Sequence, residues 1–331
     1  MSGNIVPADP AAIEAAARLL ASGELVAFPT ETVYGLGADA ANGDAVRRIF
    51  TVKGRPADHP VIVHIADRRD VGKWARAVSN GAAQLAEAFW PGPLTLILPR
   101  AAAVLDQITG GQDSVGVRVP SHPIARALLN AFGGGIAAPS ANRFGHVSPT
   151  TAAHVADDLQ DAPAMILNGG PCDVGIESTI VAFRDDEPVL LRPGAISLAE
   201  LTQVLGYSPR PPDAAAPRVS GSLALHYAPR TPASLVRVDA LRAELAHLTE
   251  RDEQVAVLAR TLKRPDDFEG VWIEARDNAA QYARDLYANL RALDAANADA
   301  ILIETPADDP AWFAVRDRLI RATQGEDDDR N

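Results

Sequence analysis

The chain has 331 residues, of which 47% are hydrophobic and 22% are charged. This length exceeds what one compact core usually serves, so two domains are expected, and the composition excludes a disordered or collagen-like chain. The formal net charge is −12, and Asp and Glu outnumber Lys and Arg in both halves (21 against 16 in residues 1–210 and 22 against 15 in the rest), which excludes a strongly basic nucleic-acid-binding module in either half.

Strands and helices alternate irregularly in the first two hundred residues. Asp9 and Pro10 predict the start of a helix over Ala11–Leu20, and Gly23 predicts its end. Short apolar runs between turn residues predict strands, and apolar positions at helical spacing predict the helices between them. The strands are expected at Leu25–Phe28, Pro60–Ile65, Leu94–Leu98, Val115–Val119, Gly135–Ala138, Ala164–Leu167, Ser178–Phe183 and Pro188–Leu191, and the further helices at Ala45–Phe50, Gly81–Phe89, Ile124–Ala131, Thr151–Leu159 and Leu198–Leu205. This order predicts a mixed α/β sheet rather than a regular parallel one.

A Pro/Ala stretch, Pro209–Pro217, is a candidate linker, and the pattern after it is more regular. Strands are expected at Ser234–Val238, Gln254–Leu258, Val271–Glu274 and Ala300–Glu304, with helices after the first strand, at Asn278–Asp294 and at Ala311–Thr323. This alternation predicts a small open α/β sheet. The sheet lacks a Gly-x-Gly-x-x-Gly turn, so dinucleotide binding there is not indicated.

Residues 28–37, Phe-Pro-Thr-Glu-Thr-Val-Tyr-Gly-Leu-Gly, are the most informative stretch. A buried strand ends at Pro29 and opens into a turn that carries hydroxyls, one carboxylate and two glycines. Gly35 and Gly37 permit close approach of a small ligand, but the same residues also suit an ordinary hairpin turn.

Cations and histidines follow in two blocks. Lys53-Gly54-Arg55-Pro56 suits either a polyphosphate or a solvated surface turn, and His59 follows it. His64 lies on an apolar strand, where a histidine is more often a satisfied core residue than a ligand. Arg118, between two valines, either points outward or enters a pocket, where a carboxylate is its natural bidentate partner.

Hydroxyls and an amide follow further strands in this region. Ser140 and Asn142 could bind phosphate or ribose oxygens, whereas Ser148-Pro149-Thr150 is expected to cap the next helix whether or not it also binds a ligand. Ser178 leads into a strand and Arg192 ends one. Strand ends are where open α/β sheets place ligands, so these residues are best considered together. The sequence has no P-loop, kinase, His-Glu-x-x-His or Gly-x-Ser-x-Gly motif, so an ATP site would use another arrangement.

The single cysteine, Cys172, excludes an intramolecular disulfide and a cysteine-based zinc cluster, and we expect it to be structural. Residues 1–10 lack the features of a signal peptide, and no segment is long and apolar enough to cross a bilayer. We therefore expect a cytoplasmic chain with no membrane contact.

Taken together, the motifs closely resemble the YrdC/TsaC family of L-threonylcarbamoyladenylate synthases. In chain order the motifs are Pro29-Thr30-Glu31-Thr32-Val33-Tyr34-Gly35-Leu36, Lys53-Gly54-Arg55-Pro56, His59-Pro60, Pro91-Gly92-Pro93-Leu94-Thr95, Val117-Arg118-Val119-Pro120, Pro139-Ser140-Ala141-Asn142, Glu177-Ser178-Thr179-Ile180 and Arg192-Pro193-Gly194. His226-Tyr227-Ala228-Pro229 is similar to the two-domain version of the family. The resemblance implies an α/β fold of YrdC type, a twisted mixed sheet with a concave basic cavity over residues 1–207. It also implies a linker or lid over 208–231 and a smaller Rossmann-like α/β domain over 232–331.

The resemblance implies an enzyme that joins L-threonine, bicarbonate and ATP into threonylcarbamoyl-AMP and pyrophosphate, for threonylcarbamoyladenosine modification of tRNA. By motif position the L-threonine site would comprise Thr32, His64, Arg118, the Ala138 backbone and Ser178. The ATP site would comprise Arg55, His59, Ser114, Ser140, Asn142, Ser148, Arg192 and Tyr227. The segment Ser220-Gly221-Ser222-Leu223 departs from the Pro-Gly-Met type of sequence that often precedes the His-Tyr pair, and this departure bears on loop closure and on His226.

The implied chemistry suits these residue types. A threonine carbamate must meet the α-phosphorus in line with the departing pyrophosphate, so positioning and charge neutralisation should dominate and no covalent nucleophile is needed. Lys53, Arg55 and Arg118 would be the catalytic residues, with Arg118 on the amino-acid carboxylate. Mg²⁺ would accompany ATP with few protein ligands, so no dedicated metal site is expected.

Two other classes of protein stay open from the sequence. One is an RNA-binding module with weak tRNA affinity, and the other is a regulatory protein that binds threonine and nucleotide without catalysis. As an enzyme, the chain would supply a downstream tRNA threonylcarbamoyl-transferase machinery.

Overall fold

A computed structural model describes residues 4–184, 186–221 and 226–323. The chain divides into two compact units. The first comprises Met1–Phe144 and Ser148–Ser222, and the second comprises Gly145–Val147 and Leu223–Asn331. The predicted linker, 208–231, is thus shared between the units, and its residues 222–225 lie outside the described part of the chain.

The first unit is built on one ten-stranded sheet in the order β1-β8-β2-β3-β7-β4-β6-β5-β9-β10. The sheet is mixed: β4 pairs with β6 in parallel, and β5 pairs with β6 antiparallel. Its strands are β1 (Ile5–Pro7), β2 (Val26–Phe28), β3 (Gly35–Asp39), β4 (Ile62–His64), β5 (Leu94–Pro99), β6 (Ser114–Arg118), β7 (Ile136–Ala137), β8 (Met165–Asn168), β9 (Thr179–Arg184) and β10 (Glu187–Arg192). The mixed α/β class is confirmed, while β1 and β3 were not predicted.

Local signals explain where the helices of the first unit begin and end. The Asp9 side chain caps the first helix by accepting a hydrogen bond from Ala12 N at 2.8 Å, and Gly54 ends the second in the left-handed conformation, with φ 64°. The helices are α1 (Pro10–Ala21), α2 (Gly43–Lys53), α3 (Asn80–Phe89), α4 (Asp106–Thr109), α5 (Pro123–Phe132), α6 (Ala152–Leu159) and α7 (Leu198–Leu205), with a 3₁₀ turn at Arg68–Lys73.

Strand β3 corrects the interpretation of Gly35 and Gly37 as turn residues. Both lie within the strand, which pairs antiparallel with β2. A Cβ on Gly37 would stand 2.8 Å from the Phe28 ring and 2.9 Å from the Ile136 side chain. The second glycine is therefore required by packing inside the sheet rather than by a ligand.

The alternation of β6 settles the orientation of Arg118. Val115 and Val117 are fully buried in the main hydrophobic core, on one face of the sheet. Because successive side chains of a strand point to opposite faces, Gly116 and Arg118 lie on the other face. Arg118 is nevertheless only 4% exposed, so it lies in a pocket of that face and does not point into solvent.

Residues 208–221, called the crossing segment below, belong to the first unit. Arg210 forms a parallel bridge with Val189 of β10. Further along, Arg218 and Gln112 exchange two hydrogen bonds, from Arg218 N to Gln112 Oε1 at 2.8 Å and from Gln112 Nε2 to Arg218 O at 3.1 Å. The segment is thus held at both ends.

Directly after Arg218, the crossing segment packs on the sheet. Val219 lies in a small apolar cluster with Ile97 of β5 and Ile180 of β9. Ile97 is directly opposite Gly116 in the antiparallel β5–β6 pair, and Gly116 shares a face with Arg118. The crossing segment therefore lies over the sheet face that carries Arg118.

The second unit contains a four-stranded sheet in the order β11-β14-β12-β13, in which every pair is parallel. The predicted open α/β sheet is confirmed. Its elements are β11 (Ala233–Val236), α8 (Val238–Glu250), β12 (Val255–Ala259), β13 (Trp272–Glu274), α9 (Ala279–Asp294), β14 (Ala300–Glu304), a 3₁₀ turn at Pro310–Trp312 and α10 (Phe313–Thr323). Over the described residues, no helix of either unit is long and apolar enough to span a bilayer.

Glu304 fills the crevice at the carboxyl ends of β12 and β14. Its carboxylate is 1% exposed and accepts hydrogen bonds from the backbone N–H groups of Arg260, Thr261 and Leu262. Open parallel sheets commonly bind ligands at this position. Here the protein's own carboxylate occupies the N–H groups that would otherwise bind an anion.

Candidate active site

Arg118 is the centre of a buried polar cluster in the first unit. Its Nη2 donates to Glu31 Oε1 at 2.6 Å, and its Nη1 donates to Thr32 Oγ1 at 2.9 Å. The second oxygen of Glu31 accepts from Ser121 N at 3.1 Å. Burial alone would raise the pKa of Glu31, but the charge and hydrogen bond of Arg118 outweigh it and hold that pKa below its usual range. The pair is therefore an ionised salt bridge.

The turn after β2 is fixed by its own hydroxyls. Thr30 Oγ1 donates to Val33 O at 2.6 Å and accepts from Val33 N at 3.2 Å. The hydroxyls of Thr30 and Thr32 are 2.8 Å apart. Because Thr30 uses its only O–H on Val33, the Thr32 hydroxyl donates to Thr30 and accepts from Arg118. The turn thereby presents Thr32 in one orientation.

His64 lies beside Arg118 on the neighbouring strand. The two residues are register partners in the parallel β4–β6 pair. The imidazole is 4% exposed, and its Nδ1 has no hydrogen-bond partner among the described residues. Burial, reinforced by the charge of Arg118, lowers its pKa to about 3, so the ring is neutral at physiological pH. His64 is buried as a core histidine would be, but its hydrogen bonding is not complete.

Ser178, directly before β9, contacts Arg192 at the end of β10. Ser178 Oγ lies 2.7 Å from Thr95 Oγ1 and accepts from Arg192 Nη2 at 3.2 Å. Arg192 also donates to Ser178 O at 3.1 Å and to Ser220 O at 2.8 Å. A Cβ on Gly194 would stand 2.3 Å from Thr179 N, so only glycine allows this close crossing of the chain.

Lys53 lies at the end of α2 and holds the turn that follows β7. Its Nζ donates to Ser140 O at 2.6 Å and to Asn142 O at 2.5 Å, while its own carbonyl accepts from Phe144 N. Lys53 is 3% exposed, and burial, with the charge of Arg55, lowers its pKa well below the ordinary value. Lys53 is thus a buried support for two predicted ATP-site residues and not a solvated surface cation.

Arg55 and His59 share one aromatic neighbour. The guanidinium of Arg55 lies 5.6 Å from the Phe144 ring centroid, and the His59 ring meets the same ring edge-on at 5.4 Å. Arg55 Nη2 also donates to Pro60 O at 2.9 Å. Partial burial, followed by the charge of Arg55, lowers the pKa of His59. An anion near these side chains would meet one permanent cation and one neutral imidazole.

The cap of the next helix does not lie in Ser148-Pro149-Thr150, where the sequence led us to expect it. The cap of α6 is Thr151, whose Oγ1 accepts from His154 N at 3.3 Å. Ser148 is fully buried and donates instead to Glu177 Oε1 at 2.6 Å. The prediction was wrong because a proline separates Ser148 from the helix start, and the residue directly before Ala152 takes the capping position.

The remaining predicted site residues have different surroundings. The Ala138 N–H donates to Ile62 O at 3.0 Å, so only the carbonyl of Ala138 could serve a ligand. Ser114 is half-buried at the start of β6 and lines a small cavity beneath the crossing segment. Tyr227 belongs to the second unit, where its ring stacks on Tyr287 with centroids 5.7 Å apart. Its φ of 66° is uncommon for a bulky residue.

Four residues of these clusters were not predicted as site residues. Glu31, Thr95 and Glu177 lie inside motifs quoted from the sequence, yet nothing local reveals that each holds a neighbour from a distant strand or loop. Phe144 carries no sequence signal. In the described part of the chain, no group of three or more His, Cys, Asp and Glu side chains is arranged to hold a metal ion.

Comparison with known protein families identifies the family to which this fold and site belong. The Sua5/YciO/YrdC family model, described as telomere recombination, matches residues 18–194, and the model described as the C-terminal domain of threonylcarbamoyl-AMP synthase matches residues 196–324. The chain belongs to the Sua5/YciO/YrdC family.

Relatives match this chain over nearly its whole length. A threonylcarbamoyl-AMP synthase of Pyrococcus abyssi is 40% identical over 94% of each chain, and one of Bacillus subtilis is 41% identical over 96% of this chain and 94% of its own. The crystal structure of P. abyssi Sua5 complexed with L-threonine superposes with a TM-score of 0.88 at 38% identity, covering 97% of this chain and 96% of that one. The similarity therefore includes both units.

Proposed function

We propose that this chain is a threonylcarbamoyl-AMP synthase that joins L-threonine, bicarbonate and ATP and releases pyrophosphate. As such it is an adenylyltransferase of the cytoplasm, and its product supplies a tRNA threonylcarbamoyl-transferase machinery. Full-length similarity to proteins of that name supports the proposal. The observation that carries it is the buried Arg118 beside His64, because each has a ring or guanidinium nitrogen, His64 Nδ1 and Arg118 Nε, that forms no hydrogen bond with residues 4–184, 186–221 or 226–323.

The amino-acid end of the reaction is assigned to the Arg118 cluster. A guanidinium has five N–H donors, and Arg118 spends two of them on Glu31 and Thr32. The remaining three, including the buried Nε–H, suit a carboxylate held by two parallel hydrogen bonds. The neutral His64 beside it would contact a polar group of the substrate without adding charge. Ser178 and the Ala138 carbonyl complete the proposed threonine site.

The nucleotide end is assigned to the cations and hydroxyls of the neighbouring turns. Arg55 and Arg192 would offset phosphate charge, while Lys53 would hold Ser140 and Asn142 in place through its hydrogen bonds to their carbonyl groups. His59, Ser114, Ser148 and Tyr227 are the further proposed ATP contacts. Mg²⁺ would enter with ATP as part of the substrate and would offset part of the phosphate charge.

Positioning and charge neutralisation are the proposed sources of catalysis. The threonine carbamate oxygen attacks the α-phosphorus, and pyrophosphate leaves on the opposite side, so both ends of the substrate pair must be held in line. Cys172 is an unsuitable nucleophile because burial raises the pKa of its thiol. Proton transfer to or from the protein is not required in the adenylation step, since the carbamate is already an anion.

The test is pyrophosphate release from MgATP and bicarbonate, with and without L-threonine. Release that depends on L-threonine, and that is absent with D-threonine, is expected for the wild type. Arg118→Ala should abolish the threonine-dependent release. Arg118→Lys keeps the positive charge but loses the two parallel N–H donors of the guanidinium, so it should weaken the release strongly. Arg100→Ala is the matched control, because Arg100, directly after β5, pairs with Asp106 at the start of α4, outside the proposed site.

Three results would refute the proposed function. Threonine-independent release would point to a different acceptor. Binding of both ligands in calorimetry without any release of pyrophosphate would identify a regulatory binding protein instead. Binding of tRNA that falls steeply with salt, in the absence of turnover, would favour the RNA-binding alternative.

A further inference from the structure

Among the described residues, Glu31 is the one carboxylate paired with Arg118, and the reaction proposed above gives it no task. It is 6% exposed, and both of its oxygens accept hydrogen bonds, one from Arg118 and one from Ser121 N. Burying a charged pair is costly unless its geometry is well satisfied. The presence of a buried, ionised carboxylate in a proposed substrate site therefore calls for a functional explanation.

We propose that Glu31 is a positioning residue, which orients the Arg118 guanidinium for the substrate carboxylate and cancels its charge so that polyphosphate is not drawn to the same place. This inference rests on the proposed function, since it deepens the role of the Arg118 cluster in binding L-threonine.

The orienting role follows from two fixed points on one planar group. Glu31 holds Nη2 and Thr32 holds Nη1, and these two residues are neighbours in one turn. A guanidinium tied through both terminal nitrogens cannot rotate about its long axis. The three unused N–H bonds therefore point in a defined direction before a ligand arrives, which lowers the entropic cost of binding.

The charge-cancelling role follows from the 2.6 Å separation of the two ions. A lone buried arginine attracts any anion, and the triphosphate carries far more negative charge than an amino-acid carboxylate. With Glu31 in contact, the long-range attraction is cancelled while the directional donors remain. Polyphosphate is then left to Arg55 and Arg192, and the carboxylate is selected at Arg118.

A role for Glu31 as general base is not supported. Its pKa is held below the usual carboxyl range by Arg118, and both oxygens are already engaged. A group that stays ionised and committed to two donors is a poor proton acceptor. The effect of Glu31 must then pass through Arg118.

The experiment compares wild type with Glu31→Gln, by L-threonine calorimetry and by steady-state kinetics. The L-threonine Kd and KM should rise at least about tenfold because the guanidinium loses its orientation, while the KM for ATP stays within about twofold. Pyrophosphate should inhibit the variant at a lower concentration than the wild type. In an Arg118→Lys background, adding Glu31→Gln should change the L-threonine Kd by less than about twofold, because the two residues act as a unit.

The matched control is Glu24→Gln, which removes the partner of Arg48 from an exposed salt bridge. It should leave every one of these values unchanged. Should Glu31→Gln fail to fold, Glu31→Asp retains the charge with a shorter reach, and the same increase in L-threonine Kd is expected to a smaller degree.

Wild-type affinity for L-threonine in a folded Glu31 variant would overturn the inference. Equal weakening of L-threonine and ATP, with no change in pyrophosphate inhibition, would also overturn it, since that pattern marks a general structural effect. Calorimetry needs no turnover, so a wild type that binds L-threonine but releases no pyrophosphate would refute the proposed reaction while the role of Glu31 is still tested.

Discussion

Lys53 offers the sharpest test of how the nucleotide side of the site is held together. Lys53→Met keeps the length and apolar stem of the side chain but removes the ammonium that joins Ser140 O and Asn142 O. Each lost hydrogen bond costs about 1 kcal/mol, and leaving the two carbonyls without this donor adds about 1–3 kcal/mol. The variant no longer buries a charged group, which offsets part of this loss. We expect a net destabilisation of about 1–3 kcal/mol, equivalent to a Tm lowered by about 3–9 °C in a unit of this size.

Thermal unfolding and ATP titration together measure this prediction. The KM for ATP should rise about tenfold, because the 140–142 turn loses its anchor, while the Kd for L-threonine should not change. The chain has only two other lysines. Lys73→Met and Lys263→Met are therefore the controls, and together they cover every other lysine. Both side chains are exposed in surface salt bridges, so each substitution should shift Tm by less than about 1 °C.

The pH dependence gives a second signature for Lys53. Because its pKa is depressed in the folded state, the unfolded chain binds an extra proton between that depressed value and the ordinary 10.5. The free energy of unfolding of the wild type should therefore rise with pH over this interval, and the rise should be absent in Lys53→Met. A variant with unchanged Tm, unchanged ATP KM and the wild-type pH slope would refute the reasoning.

Three further predictions concern other parts of the fold. Since the pKa of His64 is about 3 when folded, the wild type should lose stability as pH falls from about 6.5 toward 3, and His64→Gln should reduce that loss in acid denaturation curves. Gly37→Ala should cost about 1–3 kcal/mol because its Cβ meets the Phe28 ring, whereas Gly72→Ala, with open space around it, should be neutral in the same urea titration. Glu304→Gln should destabilise the second unit by about 1–2 kcal/mol, since the amide oxygen can still accept from the backbone N–H groups but lacks the negative charge that strengthens those hydrogen bonds; unchanged denaturant midpoints would contradict this.

The sequence was informative where one physical signal dominates. Alternation in Val117-Arg118-Val119 predicted a strand, and packing of the valines then left only one face for Arg118. The residues of β3 gave no such signal, because Gly-Leu-Gly-Ala-Asp has low strand propensity and reads as a turn. Gly37 is needed there because the Phe28 ring of the paired strand β2 packs against it, a contact that no local propensity rule detects.

The sequence predicted which residue types form the site, but it did not predict which of them contact each other. Lys53 and Arg55 are two residues apart, yet their contacts differ. Lys53 donates to the backbone of the turn after β7, whereas Arg55 lies against the Phe144 ring. Glu31 and Arg118 are 87 positions apart, so their pairing exists only through the order of the strands. Burial of Lys53 likewise depends on residues 140–144, which the sequence alone does not place beside α2.

The crossing segment changes where a fragment of this protein should end. The Sua5/YciO/YrdC model stops at residue 194, but the first unit continues through the described residues to 221. A fragment cut at 194 would lack Val219 and expose Ile97 and Ile180 to water on the face that carries the site. Contiguous exposed apolar surface promotes association. A fragment that includes the crossing segment keeps this surface covered, so the tether between the two units is also part of the packing of the first.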